Sequence, residues 1–133
     1  MRQLKTISLI LASLTILFSC FDNQDSFTTR IVPVDIYEST IPATGTVNKN
    51  IQIELKAQAM NGCYSDLGIE FIEVDSRHFL MKAKGAFKTN GVCPDVMVYK
   101  DTVINFKPTS TGDYFFQVNE QPFEIRNEKI EVK

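Results

Sequence analysis

A chain of 133 residues with 44% hydrophobic, 23% charged and 11% aromatic residues holds enough apolar material for one globular core, and its length leaves no room for a second domain. That composition excludes a disordered or collagen-like chain. Fourteen basic residues against sixteen acidic ones give a net charge of −2, and Arg2 and Lys5 both lie in the front segment, so nucleic acid, which needs a basic surface, is not an expected partner.

Residues 1–19 read as a targeting segment. Arg2 and Lys5 form a positive start, and the apolar run Ile7 to Phe18 is shorter than the roughly 20 residues that span a bilayer. The run ends in Leu17-Phe18-Ser19-Cys20, with a branched apolar residue three before the cysteine and a small residue just before it. This resembles the lipobox of bacterial lipoproteins. The resemblance implies cleavage before Cys20, a diacylglycerol on its thiol and anchorage to a membrane through that lipid; separately, no cofactor is expected. The polar stretch that follows, within residues 20–29, is expected to be a flexible tether. Its Asp22, Asn23, Gln24 and Asp25 resemble the acidic export signal of surface lipoproteins in Bacteroidota, which implies an outer-membrane location on the periplasmic or cell-surface face.

From residue 30 to residue 133 the dominant period is two. Val34 and Ile36 sit in a first run, Ile31 to Tyr37. Next, Ile51, Ile53, Leu55 and Ala57 alternate with Gln52, Glu54, Lys56 and Gln58, the pattern of a strand with one buried and one wet face. Further runs follow at Leu67 to Val74, Phe79 to Phe87, Val96 to Phe106, Tyr114 to Val118 and Phe123 to Val132, separated by turn signals such as Asn61-Gly62, Asn90-Gly91 and Pro108 to Gly112. No stretch sustains a helical period. The expected fold is all-β, an antiparallel sandwich of about seven strands with Ile51, Ile53, Leu55, Ile69, Phe71, Tyr114, Phe116 and Val118 pointing inward. The segment Phe106 to Val118, a Pro-to-Gly turn followed by Tyr114 on a strand, resembles the corner before the sixth strand of immunoglobulin-like domains. The resemblance implies that the Tyr114 hydroxyl bonds to backbone a few residues upstream.

With Cys20 assigned to lipid, Cys63 and Cys93 remain as an even pair in an oxidising compartment and are expected to form a disulfide. Both lie beside Asn-Gly turns, so the bridge would staple two loops at one end. An alternative set of Cys63, His78 and Cys93 lacks the spacing of a zinc site. Phe106 to Phe116 also resembles the segment before the copper loop of cupredoxins, but Gln117 to Phe123 contains no Cys, His or Met, so no metal is expected. The single histidine has no nucleophile motif near it, and there is no glycine-rich phosphate loop. Glu70, Glu73 and Asp75 are candidate acid/base carboxylates, weighed against a solvated charged face.

The expected function is that of a lipid-anchored, non-enzymatic cell-envelope module that binds a protein or glycan through the stapled end, where Tyr64, Asp66, Phe87 and Lys88 lie. One alternative is an envelope enzyme or enzyme accessory using the carboxylates. Another rests on a likeness to chagasin-like cysteine-protease inhibitors, whose first inhibitory loop would correspond to Ala59 to Tyr64. This chain has no Trp for the Arg-Pro-Trp loop of that family.

Overall fold

The computed structural model describes residues 28–133. The targeting segment, Cys20 and the acidic stretch after it lie outside the described residues. The chain forms eight strands: β1 (Thr28–Thr40), β2 (Thr44–Gly45), β3 (Ile51–Ala59), β4 (Tyr64–Glu73), β5 (His78–Thr89), β6 (Val98–Phe106), β7 (Gly112–Val118) and β8 (Arg126–Val132). The fold is all-β, as the period of two predicts. β1 includes Thr28 and Thr29 from the stretch read as tether, and the two-residue β2 falls outside the runs read as strands.

β5 is the hub of the sheet. One edge pairs with β4 along most of its length, and the other pairs with the first half of β1 and with β7. β1 then leaves β5 after Val34 and, from Asp35 to Thr40, pairs with β3, whose far side carries β6. The result is a mixed sheet curled into a half-barrel. The antiparallel expectation is corrected at two places, since β5–β7 and β2–β8 run parallel. The reason lies in the path of the chain. From β3 onward successive strands reverse direction, and β6 crosses over to β3, so β7 returns beside β5 pointing the same way, while β2 keeps the direction of β1, which is also that of β8.

Side-chain alternation places the core where the sequence puts it. Ile51, Ile53, Leu55, Tyr114, Phe116 and Val118 are buried, and Ile69 and Phe71 pack against them partly covered. Within this core Phe79 stacks on Phe116 at 5.3 Å and meets Phe106 edge-on at 5.1 Å, while Phe106 meets Tyr114 at 5.2 Å. Such rings bury large apolar areas and gain further from offset and edge-on geometry. The Tyr114 hydroxyl donates to the Ser110 carbonyl at 3.1 Å and accepts from the Ser110 N–H at 3.2 Å, closing the expected corner. Gly112 sits beside it at φ 118°, where a side chain would be strained and a Cβ would run into the Arg77 guanidinium. That guanidinium lies 5.5 Å from the centre of the Tyr114 ring, a cation–π contact.

One buried polar residue departs from the reading by alternation. With Val118 inward, alternation would turn Asn119 outward, yet it is 2% exposed. β7 ends at Val118, and Asn119 turns inward with φ 71°. Its Oδ1 accepts the Ile36 N–H at 2.9 Å, and its Nδ2 donates to Asp35 Oδ1, the Ile36 carbonyl and the Glu124 carbonyl. Arg126 adds donors to the carbonyls of Ile36 and Tyr37 at 2.8 and 3.1 Å. Together these two side chains satisfy the stretch of β1 that has left β5.

Two consequences are measurable by equilibrium urea denaturation. Phe116→Ala removes a fully buried ring and costs about 3 to 5 kcal/mol, whereas Phe115→Ala, on a ring 41% exposed, costs about 1 kcal/mol or less. Asn119→Ala strands the Ile36 N–H and costs about 2 kcal/mol or more, since an unpaired buried donor bears its full desolvation cost.

Candidate functional site

The stapled end is built by two loops. Residues 60–63 join β3 to β4 and residues 90–97 join β5 to β6, and Cys63–Cys93 bridges them with a Cα separation of 5.2 Å. The loops also dock on each other. Gly62 N–H donates to the Pro94 carbonyl at 2.9 Å, and Asn61 Oδ1 accepts the Cys63 N–H at 3.0 Å. A Cβ on Gly62 would come within 3.0 Å of the Val96 side chain and 3.1 Å of the Pro94 ring, so a larger residue would make those side chains give way by a few tenths of an ångström.

Of the four residues expected near this end, two form a pair. Tyr64 lies directly opposite Phe87 in the β4–β5 ladder, with ring centres 5.0 Å apart and planes at 64°. Lys88 follows Phe87 and, by alternation, faces the other way; its N–H donates to the Cys63 carbonyl at 2.9 Å. Asp66 sits in a bulge between Ser65 and Gly68 with φ 51°, and its carboxylate accepts from the Ser65 hydroxyl. The four therefore do not line a single surface.

Tyr64 does line a recess of about 230 Å³. Val34 and Asp35, where β1 changes partners, form one wall, and Ala59 and Met60 at the end of β3 form another. Phe123, from the connection between β7 and β8, completes it. The lining is mostly apolar, with Asp35 and Gln58 as its polar members, and Asp35 already accepts from Asn119. Around it the stapled end exposes apolar side chains: Met60 is 76% exposed, Val92 80% and Val96 55%. Exposed apolar groups gathered at one end mark an interaction site more often than scattered ones do. The residues 59–64 compared above with an inhibitory loop lie at this same end.

The other candidate chemistry is dispersed. His78 opens β5, at the end opposite the one followed by Cys93, and both cysteines are in the disulfide, so these three do not meet. The His78 ring stacks on Phe115 at 5.0 Å and shares its Nδ1 with both oxygens of Asp75 at 2.9 and 3.0 Å. Glu70 is ion-paired with Lys84, and Glu73 ends β4, so the three carboxylates do not converge. The Glu70 carboxyl is held below the usual range mainly by that Lys84 hydrogen bond. The Asp75 carboxyl is also held low, first by the Arg77 backbone N–H and then by the His78 side chain. Asn119 and Arg126, which shape the wall at Asp35, escaped the sequence reading because alternation carries no sign of a residue turned inward just beyond a strand.

Comparison with known proteins found no protein family, no curated protein and no solved structure that matches the chain.

The loop staple and the Asp75 turn each make a prediction. Replacing Cys63 and Cys93 with Ala reopens a loop whose ends are 30 residues apart and lowers unfolding free energy by about 3.5 kcal/mol on the chain-entropy account. Denaturation of the double mutant beside the reduced native chain checks it. A carboxyl with a depressed pKa stabilises the folded state above its unfolded pKa and loses that contribution as the pH falls through the folded one. Carbon-detected NMR titration is expected to show Asp75 ionising below an ordinary aspartate and staying low in His78→Ala, because the Arg77 N–H is the larger influence.

Proposed function

We propose that this chain is a lipid-anchored cell-envelope binding module, with an immunoglobulin-like sandwich that takes a protein or glycan partner at its stapled end. The observation that carries the reading is the apolar recess between Tyr64, Met60 and Phe123, bordered by loops that the Cys63–Cys93 bridge holds in place. A bridge here costs the binding end its freedom before any partner arrives, and a surface ordered in advance loses less entropy on association. The Leu17-Phe18-Ser19-Cys20 pattern supports the anchor, and the acidic stretch after it supports an outer-membrane address. The immunoglobulin-like reading is supported by the Tyr114–Ser110 corner and by β1, which is shared between two layers that enclose the aromatic core. It departs from that family in its loop-to-loop bridge and its parallel β5–β7 pairing.

The anchor is tested by mass spectrometry of the membrane fraction. A mature peptide starting at acylated Cys20 is expected, and Cys20→Ala should leave the protein unanchored; an unmodified terminus elsewhere defeats it. The binding end is tested in intact cells with a photoreactive residue at Met60 or Val96, and at exposed Ile125 as the control position. Adducts at the first two sites that disappear in Tyr64→Asp support the reading, and adducts at Ile125 alone overturn it.

A further inference from the structure

Eight steps of backbone separate Cys20 from Thr28, where β1 begins. Thr28 pairs with Thr89 at the end of β5, and the Thr89 hydroxyl lies 3.6 Å from the Cys93 sulfur. The chain therefore enters the sheet at the stapled end. The side chains beside the bridge are apolar and open to solvent. Val92, whose carbonyl lies 3.6 Å from the Cys63 sulfur, is 80% exposed, Met60 76%, Val96 55% and Met97 43%. Asp95 is the only charged side chain on either bridged loop, residues 60–63 and 90–97. The third connection at this end, residues 119–125, carries Glu120 and Glu124 instead. At the far end of the sheet Val74 stands among Asp75, Arg77 and Lys107.

We propose that the two bridged loops rest on the lipid bilayer that holds Cys20, with Met60, Val92, Val96 and Met97 in its headgroup boundary, so that the domain stands on the membrane by its stapled end. This rests on the lipid anchor of the reading above and adds the orientation that the anchor imposes. Reach decides between the two ends. Eight steps of backbone, however they run, span at most about 28 Å. β5, with its 12 residues, is roughly 40 Å long. An inverted domain, with His78 toward the lipid, would hold Thr28 farther from the membrane than Cys20 can reach. Between standing and lying on a side, the loops decide. Exposed apolar side chains gain by entering the headgroup boundary, whereas carboxylates such as Glu120 and Glu124 are better left in water. Asp95 limits the depth to the headgroup layer. Because neither loop carries a positive charge, the contact needs no anionic lipid. A partner then reaches the recess along the membrane surface.

The chain contains no tryptophan, so a single introduced one reports on its own surroundings. Full chains carrying Val92→Trp or, at the far end, Val74→Trp are reconstituted in phosphatidylcholine vesicles brominated in the upper part of their acyl chains, and the vesicles are floated on a density gradient. Both positions are exposed, so neither ring disturbs the core. Against unbrominated vesicles, Val92→Trp is expected to lose about half of its fluorescence, as a side chain at the headgroup boundary should. Val74→Trp is expected to lose none. Adding Met60→Asp and Val96→Asp should abolish the quenching of Val92→Trp while flotation and circular dichroism stay unchanged. A chain that fails to float overturns the anchor and this orientation with it. A chain that floats with Val92→Trp unquenched, with Val74→Trp quenched as strongly, or with quenching that survives both aspartates overturns the orientation and leaves the anchor standing.

Discussion

A strand can serve two layers of a sheet only if its backbone finds partners at the point of transfer, and here those partners are side chains. Between Val34 and Glu38, β1 has lost β5 and is taking up β3 across a bulge. A buried N–H or carbonyl left empty there would cost about as much as several ordinary hydrogen bonds contribute. The carboxamide of Asn119 supplies both an acceptor and donors in one flat group, and the fork of Arg126 supplies two more donors. Asn119 can reach only because its backbone takes the left-handed region, which Asn tolerates better than most residues. The curl of the sheet, the enclosure of the aromatic core and the separation of the two layers all follow from this transfer.

The same transfer creates the gap that the recess occupies. β1 turns away from β5 just where β3 is ending, and the recess lies where the β1–β3 ladder stops, beside Val34 and Ala59, with Tyr64 and Phe123 as its further walls. Loops at such a gap would be free to wander. The Cys63–Cys93 bridge, the Gly62–Pro94 hydrogen bond and the Lys88–Cys63 hydrogen bond restrict them instead. Shape at this end is thus set by covalent and backbone links, which leaves the exposed side chains of Met60, Val92 and Val96 outside the demands of packing.

Much of this was legible in the sequence, for physical reasons. The alternation in Ile51 to Ala57 reports which face is wet, because charged residues such as Glu54 and Lys56 are costly to bury, and the structure keeps that phase. The disulfide could be read because Cys63 and Cys93 are the even pair left once the front segment is read as an export signal ending at Cys20. Tyr114 could be read from the Pro-to-Gly turn before it. Topology could not: a period of two says that Phe79 and Phe116 face a core, but not that their strands lie side by side and parallel. The role of Asn119 was hidden for a related reason. It lies one residue beyond β7, where the backbone changes region and alternation ceases to apply. At the candidate site the sequence brought Tyr64 and Phe87 to the right end, while Phe123 entered from a connection whose course only the fold defines.

The span of the transfer contacts also orders events in time. Ile36 waits for Asn119, 83 residues further along, and for Arg126, 90 residues along. A chain made or threaded through a pore from its amino terminus presents β1 first and its capping groups almost last. Until β7 and the start of β8 emerge, β1 has an unsatisfied edge next to apolar side chains, a condition that invites the wrong strand. Long-range closure of this kind slows folding, because the loop-closure entropy is lost before the contact repays it. The fold is therefore completed from its far end, and a chain cut short before Asn119 keeps most of its strands yet lacks the group that lets them form one body.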